Sequence, residues 1–127
     1  MEYGISTTTS LGFSQAIERV TEELQKEGFG VLTTIDVKET LKKKLDVEFA
    51  NYVILGACNP PFAYKALRAE ELIGLLLPCN VIVYEKEGKT VVAAFDPMVM
   101  AAVVENASLK AVARDVRARL QRVIDAL

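Results

Sequence analysis

The sequence predicts a single domain of the α+β class that spans residues 1–127. Segments typical of a strand and of a helix alternate three times, in the order found in α/β proteins. A β-hairpin and two further helices follow them. Because 127 residues suffice to enclose a core and no repeat or low-complexity linker divides the chain, we expect one mixed sheet covered by helices.

Two strand–helix pairs occupy the first third of the chain. Apolar and polar residues alternate in the strand segments, whereas apolar residues recur every three or four positions in the helical segments. Gly28 ends the first helix, because glycine readily adopts the left-handed conformation that closes a helix. We predict strands over 3–9 and 29–37, and helices over 13–27 and 38–45.

The third pair contains the most apolar strand. The run from Tyr52 to Cys58 is almost wholly apolar and is bounded by turn-forming residues, so we expect a central strand that is covered on both faces. Asn59, Pro60 and Pro61 stop this strand and open a helix that continues to about Glu70. Asparagine is a good helix cap, and proline suits the first turn, where backbone N–H groups have no partner within the helix.

A hairpin and two helices close the chain. We predict strands over 80–85 and 90–95 around a Glu87–Gly88 turn, and helices over 98–104 and 108–127. Asp96 is expected to cap the first of these helices, which explains this carboxylate better than catalysis does. Because the helix over 98–104 is apolar on all sides, we expect it either deep in the core or in a subunit interface.

Composition excludes several classes of function. The 15 Lys and Arg residues against 17 Asp and Glu residues give a net charge of −2, which disfavours binding to nucleic acid or anionic lipid. No apolar run approaches the ~20 residues that span a bilayer, and the N-terminus has no signal-peptide pattern. We therefore expect a cytoplasmic protein whose two cysteines are reduced.

The chain contains no histidine, which limits its chemistry further. This excludes Ser-His-Asp and Cys-His catalysis as well as imidazole metal sites. No glycine-rich loop has the context of a nucleotide-binding motif. Any catalysis would have to use thiols, carboxylates, lysine or tyrosine.

Cys58 is the strongest candidate for a functional residue. It is predicted at the carboxyl end of a buried strand and directly before a helix, where free N–H groups and the helix dipole favour a thiolate. Ligands of α/β sheets bind at this edge. Lys65 lies on the same helix and would add positive charge if it faces the thiol. The alternative is that Cys58 is simply a small buried apolar residue.

Cys79 is the second candidate, because Pro78 and Asn80 give it a local setting similar to that of Cys58. If the two cysteines lie on parallel neighbouring strands, their offset puts them on the order of 10 to 20 Å apart. That separation disfavours a disulfide within one chain. Two cysteines cannot complete a four-ligand zinc site either, although a dimer would bring four together. We predict no metal site in the single chain.

Three segments carry the most distinctive motifs: YVILGACNP over 52–60, LLLPCNVIVYE over 75–85, and Asp96–Pro97. Together with Gly28–Val31 they resemble the signature of a bacterial and archaeal family catalogued as domain of unknown function 302. The resemblance covers essentially the whole chain and implies a compact α+β domain that tends to form homodimers. It implies no activity. The pattern is centred on Cys58, Pro60, Pro78, Cys79, Asp96 and Pro97.

We hypothesise a homodimer with a thiol-lined pocket near Cys58 that binds a small molecule, a metal ion or a reactive sulfur species. Two alternatives stay open. One is an enzyme of thiol-based redox or sulfur-transfer chemistry with Cys58 as nucleophile. The other is a non-catalytic structural or partner-binding module with both cysteines in the core. No cofactor is indicated. The candidate binding residues are Cys58, Asn59, Pro60, Lys65, Cys79 and Asp96.

Overall fold

The computed structural model describes residues 2–127, which form a five-stranded sheet with helices. The strands are β1 (Gly4–Thr9), β2 (Gly30–Asp36), β3 (Tyr52–Cys58), β4 (Cys79–Lys86) and β5 (Lys89–Phe95). The helices are α1 (Phe13–Lys26), α2 (Val37–Leu45), α3 (Pro60–Ala69), α4 (Met98–Val103) and α5 (Ala107–Asp125). A 3₁₀ helix over Glu71–Leu76 connects α3 to β4. The α+β class is confirmed, and the predicted elements are found close to their expected positions.

The sheet is antiparallel throughout the described residues, in the order β1-β5-β4-β3-β2. The order of elements along the chain predicts a mixed sheet, and the predicted distance between the two cysteines holds only if their strands are parallel neighbours. That parallel pairing is wrong, because the chain leaves β3, passes through α3 and the 3₁₀ helix, and returns to the same end of the sheet. The strand β4, not β3, lies at the centre of the sheet.

One face of the sheet packs against α1 and α5 and forms the main core. In β3 this face carries Val53, Leu55 and Ala57, at the two-residue period of a strand. The helices contribute fully buried side chains to the same core: Ala16, Val20 and Leu24 from α1, and Leu120, Val123 and Ile124 from α5.

The other face of the sheet is not covered by these helices. Ile35 of β2 is 48% exposed, and Ile54 and Ile82 are only half-buried. The rings of Tyr52 and Tyr84 stack on neighbouring strands, with their centroids 5.3 Å apart. The expectation that β3 is covered on both faces is therefore wrong for the single chain, because its second apolar face is open.

A second, smaller core lies beside the sheet. It is built from Ala66 of α3, Ile73 of the 3₁₀ helix, Met100 of α4 and Leu109 of α5. In α4, Met100 is buried whereas Val103 is 69% exposed. The short helix α4 thus buries one side and presents another to solvent, instead of lying wholly within the core.

Local turn chemistry follows the sequence. Glu87 and Gly88 both have positive φ angles, of 53° and 76°, as the tight β4–β5 hairpin turn requires. Gly28 ends α1 with a φ of 86°, which side chains other than glycine rarely adopt. Within residues 2–127, none of the helices combines the length and the apolar character needed to cross a membrane.

Candidate functional site

Cys58 is the last residue of β3, and the helix α3 begins two residues later at Pro60. The predicted strand-to-helix position of this thiol is confirmed, and the side chain is half-buried. Asn59 occupies the cap position of α3, but its side chain does not cap the helix. Its Nδ2 instead donates a hydrogen bond to the Glu27 carbonyl oxygen at 3.0 Å, which ties the start of α3 to the end of α1.

Cys79 is the first residue of β4 and lies next to the end of β3. Its register partner is Ala57, the residue before Cys58. Paired Cα atoms in antiparallel strands lie 4.5 to 5.5 Å apart and one residue adds about 3.4 Å, so the Cα atoms of Cys58 and Cys79 are about 6 Å apart. The expected separation of 10 to 20 Å is wrong because it assumed parallel strands. Both cysteines are free thiols.

The two thiols differ in environment. Burial, and to a smaller extent repulsion from Cys58, raises the pKa of the Cys79 thiol from 9.0 to about 11. Cys79 is therefore protonated at neutral pH and forms an uncharged part of the protein wall. Cys58 is the more accessible of the two and is the one that a reagent in solution can reach.

A cavity of about 310 Å³ opens beside these thiols. Cys58, Cys79 and Met100 place three sulfur atoms in its wall. Among the described residues that line it, all except Asn59 and the two cysteines are apolar. The helix α3 contributes Phe62, Ala63, Ala66 and Leu67, and α5 contributes Val112 and Val116.

Two cations lie next to the aromatic ring in the cavity wall. Lys65 Nζ is 5.4 Å from the centroid of the Phe62 ring, and Arg119 Cζ is 5.2 Å from it. Lys65 is exposed, and neither cation lines the cavity itself. The site therefore combines an apolar interior with positive charge near its edge.

Comparison with known proteins places this fold in a family. The family described as Domain of unknown function DUF302 matches residues 5–127. The chain belongs to the DUF302 family. It is also similar to the crystal structure of an uncharacterized conserved protein DUF302 from Bacillus stearothermophilus, with a TM-score of 0.92, 34% sequence identity and 98% of each chain covered. None of the curated proteins matches it.

Membership of the DUF302 family confirms the resemblance seen in the sequence motifs. The family description assigns no activity, substrate or partner. The function of this DUF302 chain must therefore be argued from its own side chains.

The six predicted site residues of the DUF302 chain do not all converge. Three of them line the cavity: Cys58, Asn59 and Cys79. Lys65 does not line it and approaches only the ring of Phe62, which is a residue of the cavity wall. Pro60 is exposed in the first turn of α3 and does not line the cavity.

Asp96 also lies outside the cavity lining. Its Oδ1 accepts a hydrogen bond from the Met98 N–H at 2.9 Å, and its Oδ2 accepts one from Arg117 Nε at 3.1 Å. This carboxylate therefore fixes the start of α4 and joins it to α5, in agreement with the predicted capping role.

Sequence reasoning missed most of the cavity wall. Phe62 and Ala66 are four residues apart on α3, and Val112 and Val116 have the same spacing on α5, so each pair lies on one helix face. That spacing is a signal of burial on one helix face. Nothing in the spacing shows that the two faces leave a space between them.

Metal binding has little support in the single chain. Within residues 2–127, no group of three or more Cys, Asp or Glu side chains is arranged to hold a metal ion. The cavity supplies two thiols and one thioether, fewer than the four ligands of a structural zinc site.

Proposed function

We propose that this DUF302 protein binds a small, largely apolar molecule in the cavity beside Cys58 and Cys79. One observation carries the proposal: a cavity of about 310 Å³ whose described lining is hydrocarbon and sulfur apart from Asn59. A cavity of this size lies at the lower end of the range for ligand pockets. A space of 150 Å³ already holds benzene, so the ligand would have roughly twelve non-hydrogen atoms.

The balance of groups favours binding over catalysis. The cavity wall carries no carboxylate or amine among the described residues, so a proton donor or acceptor would have to come from the thiols. Cys79 is a poor candidate because its raised pKa keeps it protonated at neutral pH. We assign the thiols the role of polarisable contacts for the ligand, with Cys58 nearest to solvent.

Toluene is a suitable probe of this proposal. Titration followed by amide NMR should shift residues of β3, α3 and α5 around the cavity and leave the β4–β5 hairpin turn unchanged. In the Ala66→Leu variant, a larger side chain enters the cavity. This variant should need at least a tenfold higher toluene concentration to show the same shifts. Shifts confined to the open sheet face, or an undiminished response in Ala66→Leu, would contradict the proposal.

A thiol enzyme is the second candidate, and the closeness of the two cysteines favours it. Cys58 would act as the nucleophile of a redox or sulfur-transfer reaction, with Cys79 one register position away. Turnover of a persulfide or disulfide substrate that Cys58→Ser abolishes and Cys79→Ser only slows would support the enzyme over the binding protein.

We also propose that two copies of the chain pair through the open face of the sheet. Ile35 pairs with Ile54, Ile54 with Ile82, and Ile82 with Ala93, so an apolar row crosses four strands. A twofold dimer would place this row against its own copy and cover it. Because the two cysteines are free thiols, we place this dimer in the reducing cytoplasm.

Light scattering tests the dimer directly. The wild-type protein should have twice the 13.9 kDa mass of one chain, and Ile82→Lys should have the mass of a single chain because it buries a charge in the interface. Leu75→Lys is the control, since Leu75 is 82% exposed on the 3₁₀ helix. A monomeric wild-type protein, or a dimeric Ile82→Lys variant, would refute this pairing.

A further inference from the structure

The cations at the edge of the cavity indicate the chemical class of its ligand. Phe62 lies in the first turn of α3, and its ring forms part of the cavity wall. Lys65 Nζ and Arg119 Cζ approach this ring to 5.4 and 5.2 Å, one from the same helix and one from α5. Two positive charges from separate elements are therefore held near one apolar wall residue.

One hydrogen bond holds Arg119 beside the cavity wall. The Glu27 carbonyl oxygen accepts a hydrogen bond from Arg119 Nη1 at 3.2 Å, and it also accepts one from the Asn59 side chain. Asn59 lines the cavity, so Arg119 shares an acceptor with a residue of the cavity wall.

The negative charge near these cations is insufficient to neutralise them. The Glu27 carboxylate contacts Arg122 at 2.8 Å and Arg119 at 3.7 Å, so one carboxylate serves two guanidinium groups. Lys65 makes no ion pair with any carboxylate of residues 2–127. The three cations and one carboxylate leave an excess of positive charge at this edge.

We propose that the ligand is an amphipathic organic carboxylate, with its hydrocarbon body in the cavity and its anionic group at Lys65 and Arg119. This inference rests on the proposed ligand-binding function and specifies the ligand for that site. The apolar wall excludes a charged group from the interior, since burying an unpaired carboxylate is costly. The cations complement a carboxylate at the edge and repel an amine. The volume restricts the body to a ring or a short branched chain, because a long fatty acid exceeds roughly twelve non-hydrogen atoms.

Two probes of equal size separate the charge from the apolar contact. Cyclohexanecarboxylate and cyclohexanecarboxamide differ in charge and share the ring that enters the cavity. At pH 7 and low salt, calorimetric titration of the whole protein should show the carboxylate binding about fivefold more tightly, since partly exposed ion pairs contribute up to about that factor. The preference should shrink at about 0.5 M salt, where charges are screened within a few ångströms.

Lys65→Met is the decisive variant, because Lys65 is exposed and removing its charge leaves no buried group unpaired. It should reduce the carboxylate preference to about twofold or less and leave amide affinity unchanged. Lys89→Met is the matched control, since Lys89 is an exposed lysine at the hairpin end of β5, far along the sheet from Cys79. It should keep the full preference.

The outcomes distinguish the two proposals. Equal binding of carboxylate and amide to the wild-type protein would overturn the charged-ligand inference and leave the apolar pocket standing. A preference that survives in Lys65→Met and persists at high salt would also overturn it. Failure of both probes and of toluene to bind would instead refute the proposed binding function.

Discussion

Filling the cavity should stabilise this protein, which is the reverse of what a larger side chain does in a packed core. Ala66 is 3% exposed, lies on α3 and lines the cavity. Ala66→Leu adds three carbon atoms to a space about twice the volume that holds benzene. Leucine forms helices nearly as well as alanine, so the backbone of α3 should be unaffected.

The magnitude follows from burial and entropy. Burying three carbons is worth about 0.8 kcal/mol each, and ordering the leucine side chain costs about 0.5 to 1 kcal/mol. The free energy of unfolding should therefore rise by about 1.5 to 2 kcal/mol. Ala16→Leu is the control, because Ala16 is 0% exposed in α1 and does not line the cavity. Its overpacking should lower the free energy of unfolding by about 1 to 3 kcal/mol.

Urea unfolding monitored by circular dichroism measures both variants. The account requires a shift to higher urea for Ala66→Leu, a shift to lower urea for Ala16→Leu, and equal slopes for the two transitions. If Ala66→Leu loses as much stability as Ala16→Leu, the space between α3 and α5 is not available to a ligand, and the reasoning fails.

Three further predictions concern the surroundings of the site. A Cβ atom on Gly56 would lie 2.2 Å from Thr33 Oγ1 and 3.0 Å from Pro78 Cγ. Gly56→Ala should therefore lower the free energy of unfolding, measured in urea, by about 1 to 3 kcal/mol. Adding Thr33→Ala to the same chain should restore part of that loss. Unchanged stability in Gly56→Ala would show that the Thr33 and Pro78 side chains move aside at no cost, which would contradict this prediction. The hydrogen bond from Arg122 holds the pKa of Glu27 below 4.5. The stabilisation that this ion pair gives to the fold is therefore present above pH 4.5 and is lost as the pH falls through the lowered pKa. Glu27→Gln should lower the free energy of unfolding by about 1 kcal/mol or less at pH 7 and leave it unchanged near pH 2. A difference that grows on acidification would contradict this sign. At pH 8, burial and the raised pKa should leave Cys79 with about one hundredth of its ordinary thiolate fraction. Iodoacetamide should therefore modify Cys58 first and Cys79 only in denaturant, which mass spectrometry of the peptides will show. Equal labelling of both thiols in the native protein would contradict the burial of Cys79.

Local structure was predictable because its causes are local. The apolar run over Tyr52–Cys58 and the Asn59-Pro60 signal fix the strand, its end and the start of α3, and the structure confirms all three. The Glu87–Gly88 turn is equally local, since Gly88 readily adopts the positive φ that a tight hairpin turn needs. These assignments needed no knowledge of how the strands pair.

Strand pairing was the step that failed. A strand, a helix and a strand in succession are typical of a parallel crossover, and that pattern placed the two cysteines far apart. The 3₁₀ helix over Glu71–Leu76 turns the chain back beside the end of β3, so β4 runs antiparallel and Cys79 lies next to Ala57. Only tertiary contacts determine that direction, and the sequence between α3 and β4 carried no turn signal that we recognised.

The cavity was not predictable for a related reason. Its wall combines side chains of β3, α3, α4 and α5, each of which has the spacing of an ordinary buried residue. A cavity is the space left by imperfect packing of such faces, and helix periodicity does not measure the distance between them. The sequence indicated the two thiols because cysteine is chemically distinctive. It did not indicate Phe62 and Met100, because a buried apolar side chain has no such distinction.

Soaking crystals with bromobenzene and locating the bromine by its anomalous scattering tests the central claim most directly. The account predicts one dominant bromine peak inside the cavity, within contact distance of Phe62, Met100 and the two cysteines, and its loss in crystals of Ala66→Leu. A dominant peak on the open sheet face beside Ile54, or an empty cavity in a saturated soak, would contradict the claim that this DUF302 protein is built to hold a small apolar ligand beside its thiols.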